Sequence, residues 1–285
     1  MKSKNPAVSV LLPIGKDKRF LNEALESVRN QTFKDYELLI QEDDGRGLTH
    51  VLIDLAKKAR GKFLARMDAD DICLPNRLKV QVEYLLSHPD IQLVGSWAVL
   101  IDEFGYQIGL QKMPINWEEI KKEVFYRNPV IHPSWMMRKN WFEKIGGYNS
   151  SFAATQDWEL ILRSVWKERM ENIPEPLIKL RIHPGSVSFS NNRLQVYYGL
   201  KARLSAILRG DVQWYKVIYL IPSIISMMIP AKLKLIARLN VIPAILRQAQ
   251  DGEHRRTKAG IYLNRFRIPP SLTVRLQELF VHGSR

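Results

Sequence analysis

Two short acidic runs contain side chains suited to chemistry on a charged substrate. Asp68 and Asp70 are separated by a single alanine, and Asp43 and Asp44 are adjacent. Two carboxylates in one turn can bind the same hard divalent cation, which prefers oxygen ligands and keeps waters and substrate phosphates in its shell. Such a cation neutralises the charge that develops on a departing diphosphate. An Asp-x-Asp triplet also arises by chance in solvated turns. The surrounding elements therefore have to show whether these carboxylates form a cation site.

Strands and helices alternate around these runs. The predicted strands are short apolar stretches at residues 8–12, 36–40, 62–67, 91–101, 134–137 and 177–182, and the first is stopped by Pro13. The predicted helices repeat apolar residues every three or four positions, at residues 17–31, 49–59, from Pro75 to before Pro89, 140–145 and 157–167. Both acidic runs follow a strand, and ligands collect outside the carboxyl ends of strands in an open α/β sheet.

The organisation changes near residue 190. We expect residues 1–190 to form an α/β domain with a mostly parallel open sheet and flanking helices. Residues 191–285 are basic and apolar, are interrupted by prolines, and are predicted to be a helical appendage.

The net charge of +14 belongs mainly to that appendage. From Arg193 to Arg285 there are 16 Lys or Arg against 4 Asp or Glu, whereas residues 1–192 have 27 against 25. A nearly neutral body with a basic tail is unlike a nucleic-acid binder built around a fold-wide patch, so no nucleic-acid partner is expected. It suits a catalytic body tethered to an anionic surface.

Cysteine content and hydropathy indicate a compartment. Cys73 is the single cysteine, which excludes an intramolecular disulfide framework and a cysteine-rich zinc site. The apolar run near the start is too short for the core of a signal peptide. No stretch of about 18 uncharged apolar residues occurs, so no conventional spanning helix is predicted. We expect a cytoplasmic protein.

Several stretches between residues 7 and 190 share one enzyme family's pattern, in the same order. The first half contains Val8-Ser9-Val10-Leu11-Leu12-Pro13, Leu21 to Val28, Tyr36 to Ile40, Asp43-Asp44-Gly45, and Ala65-Arg66-Met67-Asp68-Ala69-Asp70-Asp71 followed by Leu74 to Leu78. The second half contains His132-Pro133-Ser134, Gly146-Gly147-Tyr148, Gln156-Asp157-Trp158-Glu159-Leu160 and Arg181-Ile182-His183. In these stretches the chain resembles the family 2 glycosyltransferases.

The resemblance implies a GT-A fold, a nucleotide-diphosphate sugar donor, a bound Mg²⁺ or Mn²⁺, and inversion at the anomeric carbon. It implies that Asp44 binds the nucleobase edge and that Pro13 lines the base pocket. By the same analogy Asp68 reaches the ribose or the metal, Asp70 binds the metal beside the diphosphate, and His183 completes the metal site from the last strand. The acceptor is expected to be a saccharide or a lipid-linked sugar, in cell-surface polysaccharide or glycolipid synthesis.

Asp157 is the expected general base. Inversion in one displacement needs a carboxylate opposite the leaving group to take the proton of the attacking hydroxyl. A carboxylate at the start of a helix also serves as a structural cap, which is the alternative for Asp157. His132 and Trp158 are expected on the acceptor side. Arg66 is expected to face the donor phosphate, since guanidinium suits phosphate geometrically, although balancing nearby aspartates would also explain it.

The chain departs from the family pattern in four places, one of which is Ile53, where an asparagine is common. Ile14-Gly15-Lys16 follows Pro13 where relatives usually have a tyrosine, so one aromatic wall of the base pocket is missing. Arg46 replaces the usual serine after Asp-Asp-Gly, and Gln156 replaces the usual glutamate before the catalytic aspartate. None of these changes removes a required carboxylate, and uridine remains the expected base.

The tail is predicted to contact a membrane surface. Residues 217–231 have no charge, lie between Lys216 and Lys232, and contain two prolines. This stretch is too short to span a bilayer, and with the following Lys234 and Arg238 it has an amphipathic character that anionic headgroups attract. We therefore expect a protein peripheral to the inner face of the membrane. A helical subdomain packed on the catalytic body is the alternative.

Two other functions are alternatives to a glycosyltransferase. A nucleotidyltransferase or pyrophosphorylase would also use an α/β sheet and paired carboxylates, but it should have a glycine-rich phosphate loop, of which Gly15-Lys16 supplies too little. A non-enzymatic basic binding module would leave Asp44, Asp68, Asp70 and Asp157 without a shared purpose.

Overall fold

The computed structural model describes residues 5–183 and 192–228, and an eight-stranded sheet lies at its centre. The strands are β1 (Val8–Ile14), β2 (Tyr36–Glu42), β3 (Phe63–Arg66), β4 (Ile72–Cys73), β5 (Ile91–Ile101), β6 (Gln107–Gln111), β7 (Met136–Arg138) and β8 (Arg169–Arg181). Their order across the sheet is β2-β1-β3-β7-β5-β8-β4, and β6 pairs with β5 off this path.

Most of these strands run in one direction. β1 is parallel to β2 and β3, and β5 is parallel to β8. Because β7 is antiparallel to both β3 and β5, the two parallel groups point the same way. Within the described residues β4, β6 and β7 oppose the other five strands. The expected α/β class, with a mostly parallel open sheet, is confirmed.

Helices flank this sheet. They are α1 (Leu21–Arg29), α2 (Leu48–Lys58), α3 (Arg77–Ser87), α4 (Trp117–Glu123), α5 (Lys139–Lys144), α6 (Gln156–Ser164), α7 (Asn192–Leu208) and α8 (Ile221–Met228). Two 3₁₀ helices cover His132–Ser134 and Trp214–Leu220. Within the part that the structure describes, no helix has the length and apolar content to cross a membrane.

Each face of the sheet has its own apolar core. β1 is buried along its whole length, and successive side chains of a strand point to opposite faces. Leu11 and Leu64 pack with residues of α2 and α6, whereas Val10 and Ala65 pack with residues of α1 and α3. Because helices cover both faces, the central strands have continuous rather than alternating apolar sequence.

The prediction that β1 stops at Pro13 was wrong, because the strand continues to Ile14. Leu11 accepts a hydrogen bond from the backbone N–H of Met67 on the β3 side, and Ile14 accepts one from Asp43 on the β2 side. Pro13 therefore faces the same side as Leu11, where β3 has already ended at Arg66. The N–H that proline lacks has no ladder partner to lose there.

Other strands and helices begin or end at residues that differ from the predicted ones, for local reasons. The strand predicted at residues 177–182 is the end of β8, which passes Pro174 and Pro176 through register shifts opposite Ser96 and Trp97. The strand predicted at 134–137 starts as a 3₁₀ turn. The first predicted helix begins at Leu21 instead of residue 17, because the Asp17 carboxylate accepts the Arg19 backbone N–H and holds a loop. β4, β6 and α4 were not predicted.

The chain divides into two compact units, residues 1–220 and 221–285. In the first unit α7 packs on α6: a Cβ on Gly199 would lie 2.9 Å from the Trp158 ring, and the Arg203 guanidinium lies 5.3 Å from the same ring. The second unit begins with α8. The boundary predicted between residues 190 and 191 falls at residues outside the described ranges and stays a prediction, as do the roles of Lys232, Lys234 and Arg238.

Candidate active site

The acidic turn after β3 brings three carboxylates together. Asp68, Asp70 and Asp71 each offer an oxygen within 4.8 Å of the others. Asp71 is buried; its Oδ1 accepts the backbone N–H of Arg181 at 2.8 Å, and its Oδ2 has no hydrogen-bond partner within the described residues. Burial, followed by the charges of Asp70 and Asp68, raises the pKa of Asp71 well above its usual range. The turn therefore concentrates negative charge that a cation would relieve.

His183 lies against this turn although it is 113 residues away from Asp70 in the sequence. Its ring is buried, and Nε2 lies 3.0 Å from Oδ2 of Asp70. Its Nδ1 lies 3.3 Å from the guanidinium of Arg19, and Phe20 packs edge-on at 5.2 Å. The structure thus brings the two predicted metal ligands together.

Arg181 connects the acidic turn to the end of β8, which carries His183. Its side chain is 2% exposed and forms an ion pair with Glu23. Its Nε donates to the backbone oxygen of Asp70 at 2.9 Å, and its Nη1 donates to the backbone oxygen of Asp102 at 3.2 Å. The guanidinium also lies 4.2 Å from the Phe20 ring. These contacts fix the turn relative to the strand.

Arg66 is a buried cation at the centre of the site. It forms an ion pair with Asp68, and its Nε has no hydrogen-bond partner within the described residues. Burial raises the pKa of Asp68, with a further increase from Asp70, against the opposing effect of Arg66. Both explanations predicted for Arg66 stay open: it balances an aspartate, and it has a free donor.

His132 and Tyr148 form a buried pair near Arg66. His132 Nε2 lies 2.8 Å from the Tyr148 hydroxyl, and the His132 ring packs edge-on against Trp135. Burial, and then the charge of Arg66, lowers the pKa of His132 well below its usual value. His132 is therefore neutral near pH 7, and it is placed to hold Tyr148 rather than to bind an anion.

Asp157 is the second residue of α6 and faces the same site. The Asn128 side-chain amide donates to its Oδ2 at 2.7 Å. Burial raises the pKa of Asp157, which backbone N–H groups, Arg66 and Asn128 partly oppose. The Asp157 charge in turn raises the pKa of Asp68 and of Tyr148, so the carboxylate acts on the acidic turn across the site.

The residue that precedes α6 has an unusual backbone. Thr155 has φ of 56°, a left-handed conformation that is costly for a β-branched residue. Its Oγ1 is buried without a hydrogen-bond partner in the described part of the chain. Strain of this kind is concentrated at functional sites, and here it lies two residues before Asp157.

Pro13 and Asp44 lie at the same edge of the sheet as the acidic turn. Pro13 is opposite Gln41 in the parallel pair of β1 and β2, so the ends of β1, β2 and β3 are neighbours. Asp43 Oδ1 accepts the backbone N–H groups of Gly45 and Gly47 and thereby forms the turn. The exposed Asp44 carboxylate pairs with Arg46 at 2.8 Å. Their donor-binding roles stay predictions.

Trp158 points away from Asp157. Its indole N–H donates to the backbone oxygen of Val124 at 2.6 Å, and its ring meets Gly199 and Arg203 of α7. These contacts explain the residue as packing between α6 and α7, and its predicted acceptor-side role stays untested.

Sequence reasoning missed three residues of the site. Asp71 was visible as the third carboxylate of its run, and Arg181 lay beside His183 in a matching segment. Asn128 had no signal, because it lies in no motif and in no periodic element.

Comparison with known proteins identifies a family. Residues 40–146 match the family model described as glycosyl transferase family 2. The O-antigen biosynthesis glycosyltransferase WbnJ of Escherichia coli is 30% identical over 64% of this chain and 82% of that protein. An uncharacterized glycosyltransferase, MJ1057 of Methanocaldococcus jannaschii, is 29% identical over 69% of this chain and 79% of that protein.

A solved structure shares the fold. The structure of S. aureus TarS 1-349 in complex with UDP superposes with a TM-score of 0.51 at 13% identity, over 72% of this chain and 67% of that chain. At this level of identity the likeness supports the fold alone, and it agrees with the GT-A architecture.

Proposed function

The chain belongs to glycosyltransferase family 2 and is therefore a sugar-transferring enzyme, and from this premise we propose that it transfers a sugar from a nucleotide-diphosphate donor to an acceptor hydroxyl with inversion. The observation that carries the proposal is the cluster of Asp68, Asp70 and Asp71, together with the partly buried Asp157, whose charge raises the pKa of Asp68 although it comes from a separate part of the chain. Family membership also decides against a non-enzymatic binding module and a nucleotidyltransferase.

Asp157 is proposed as the general base. The acceptor oxygen forms a bond to the anomeric carbon while the bond from that carbon to the diphosphate oxygen breaks, and the acceptor proton passes to Asp157. Burial raises the pKa of Asp157, which makes it a stronger base than an exposed aspartate. The side-chain amide of Asn128 donates a hydrogen bond to Oδ2 and would hold the carboxylate in place for the incoming hydroxyl.

The chemistry of the donor set fits Mg²⁺ or Mn²⁺. Asp70 and His183 would hold the ion, Asp68 would reach it or the donor ribose, and the unpartnered Oδ2 of Asp71 adds a further acceptor. When bound, the ion would neutralise charge on the departing diphosphate. Arg66, whose Nε has no hydrogen-bond partner among the described residues, would donate to a donor phosphate.

UDP is the proposed nucleotide. Asp44 would bind the base edge and Pro13 would line the base pocket, at the neighbouring ends of β2 and β1. The complex of TarS with UDP supports this choice by analogy. The kinship with WbnJ supports an acceptor, either a saccharide or a lipid-linked sugar, in cell-surface polysaccharide or glycolipid synthesis.

The working place is proposed to be the inner face of a membrane, with the enzyme peripheral to it. The support is the basic, acid-poor sequence of residues 193–285, which suits an anionic surface. Most of residues 217–231 have described positions, whereas Lys232, Lys234 and Arg238 lie outside the described ranges.

A thermal-shift screen of nucleotide sugars with and without Mn²⁺ tests the proposal. A donor that binds only the native state, at a concentration 100 times its Kd, should stabilise the fold by about 2.7 kcal/mol. We expect a UDP-sugar to do so with Mn²⁺, and Asp70→Ala to lose the Mn²⁺-dependent part. If no nucleotide sugar stabilises the parent protein with or without Mn²⁺, the proposed donor class is wrong.

A further inference from the structure

The 3₁₀ helix Trp214–Leu220 leaves large apolar side chains in water. Val212 and Leu220 are buried at its two ends and anchor it in the core of the first unit. Between them Trp214 is 78% exposed and Ile218 is 56% exposed, and Tyr215 and Tyr219 are about half exposed. Because its two ends are held in the core, this segment keeps the apolar side chains between them exposed to solvent.

An aromatic side chain from another part of the chain extends this surface. Tyr126, which is 48% exposed, packs edge-on against Tyr219 with ring centroids 5.4 Å apart. Lys216 lies 5.9 Å from the Tyr126 ring centroid. We call Trp214, Tyr215, Ile218, Tyr219 and Tyr126 together the aromatic face.

The composition of the aromatic face and of the sequence that follows it suits an anionic bilayer surface. Tryptophan and tyrosine combine an apolar ring with a polar tip and are enriched where hydrocarbon meets headgroups. Residues 212–250 contain five Lys or Arg and no Asp or Glu, which is complementary to anionic headgroups. A contiguous exposed apolar surface marks an interaction site, and the one-sided charge favours lipid over a protein of mixed charge.

The aromatic face is connected to the proposed base by a very short stretch of chain. Tyr126 belongs to the face, and Asn128, two residues later, donates its side-chain amide to Asp157 at 2.7 Å. Asn128 therefore links the chain segment that contains the exposed Tyr126 to the carboxylate proposed as the base.

We propose that the aromatic face docks on an anionic bilayer and that the acceptor is a lipid-linked sugar, delivered from the bilayer to Asp157. This inference rests on the proposed function and narrows its acceptor class. The catalytic unit itself, and not only the basic sequence that follows it, makes the membrane contact.

Vesicle sedimentation with the full-length protein tests the docking. Trp214→Ser with Ile218→Ser should raise the concentration of phosphatidylethanolamine–phosphatidylglycerol vesicles needed for half-maximal binding on the order of tenfold. The matched control is Phe104→Ser with Tyr106→Ser, because those side chains are 78% and 71% exposed in the turn before β6. The control should bind vesicles as the parent does, and all proteins should have the same unfolding midpoint.

Three outcomes overturn the docking. One is equal vesicle binding by the parent and the Trp214→Ser, Ile218→Ser protein. Another is a light-scattering result in which the parent is oligomeric and the Trp214→Ser, Ile218→Ser protein is monomeric, with vesicle binding unchanged. The aromatic face would then join two copies of the chain. The third is a large drop in its unfolding midpoint with vesicle binding unchanged, since the face would then be covered by the chain itself.

A transfer assay tests the acceptor class. Bacterial membranes would be incubated with the labelled donor that stabilises the protein most, and the label would be extracted with organic solvent. We expect the label in the lipid fraction, reduced on the order of tenfold for Trp214→Ser with Ile218→Ser, while donor-induced stabilisation stays at the parent value. Label only in water-soluble saccharide would contradict the lipid-linked acceptor yet leave the proposed function intact, whereas loss of donor stabilisation in the parent would remove the function itself.

Discussion

Individual side chains of the site differ in how far the sequence could reveal them. Asp70 and His183 lie in motifs, so their types and order predicted a shared role before their 3.0 Å contact was known. The partner of Asp157 was not predictable in this way. Asn128 lies between α4 and β7 without periodicity, and only the folded chain brings its amide to the carboxylate.

The hydrogen bond from Asn128 makes a prediction about pH. Burial raises the pKa of Asp157, and the Asn128 amide opposes that rise by stabilising the charged form. In Asn128→Ala the pKa of Asp157 should rise further, so the acid limb of the kcat/KM profile should move to higher pH. Loss of positioning should also lower kcat on the order of tenfold at neutral pH.

The measurement is the pH dependence of kcat/KM for the parent and Asn128→Ala. Donor-induced stabilisation should be equal in the two proteins, because Asn128 bonds Asp157 and is not one of the residues proposed to bind the donor. An acid limb that stays in place or moves to lower pH would contradict the role of Asn128.

Secondary-structure elements position these side chains, and most elements were predictable. The strands that end at the acidic runs and the amphipathic helices between them follow from residue periodicity. β4 is two residues long and has no recognisable strand pattern, and the two prolines of β8 conceal its first half, whereas its end was predicted at residues 177–182. These two strands pair with each other next to the acidic turn, so the contact that aligns His183 was beyond local sequence reasoning.

Arg181 at the end of β8 should be important for both stability and metal binding. Arg181→Met removes buried hydrogen bonds to the backbone oxygens of Asp70 and Asp102 and the ion pair with Glu23, which should cost about 2–4 kcal/mol of unfolding free energy. Mn²⁺-dependent donor stabilisation should also fall, because the turn and His183 lose their connection.

The control for this change is on the same strand. Arg169 is 53% exposed and pairs with Asp90 on the surface, so Arg169→Met should cost less than about 1 kcal/mol and leave donor binding unchanged. Chemical denaturation measures both proteins. Equal effects of the two substitutions would show that Arg181 has no special positioning role.

The start of α6 should carry measurable strain. Thr155 has a positive φ and a buried hydroxyl without a hydrogen-bond partner among the described residues. Thr155→Gly should therefore raise the free energy of unfolding by about 1 kcal/mol, a net value from which the entropic cost of glycine has been subtracted. Thr155→Ala removes the hydroxyl but keeps Cβ, so its gain should be smaller. A glycine variant less stable than the parent would mean that the backbone conformation is not strained.

At the scale of the whole molecule, α7 and the segment that follows it contribute to the apolar core of the first unit. Ala202, Ala206, Val212 and Leu220 are buried in the same apolar cluster as residues of α2 and α6. The sequence indicated the change from alternating elements to basic helices, but it could not show that the first of these helices completes the core. Packing across such distances in sequence depends on three-dimensional shape rather than on composition.

Truncation tests this division. A protein that ends after Leu220 keeps every residue proposed for the site and the buried side chains of α7, so it should unfold cooperatively and retain donor-induced stabilisation. A protein that ends after residue 190 should lose both, because its core would be open. Thermal unfolding followed by circular dichroism distinguishes them, and a stable 1–190 fragment would support the earlier boundary instead.

The most direct test of the account is the Asp157→Asn protein measured in two ways. Donor-induced thermal stabilisation with Mn²⁺ should equal that of the parent, because the amide preserves the shape of the side chain and Asp157 is not one of the proposed metal ligands. The rate of sugar transfer should fall about 10²–10⁴-fold, because the acceptor proton has lost its base. Transfer at the parent rate, with donor binding intact, would contradict the assignment of Asp157 and with it the proposed mechanism.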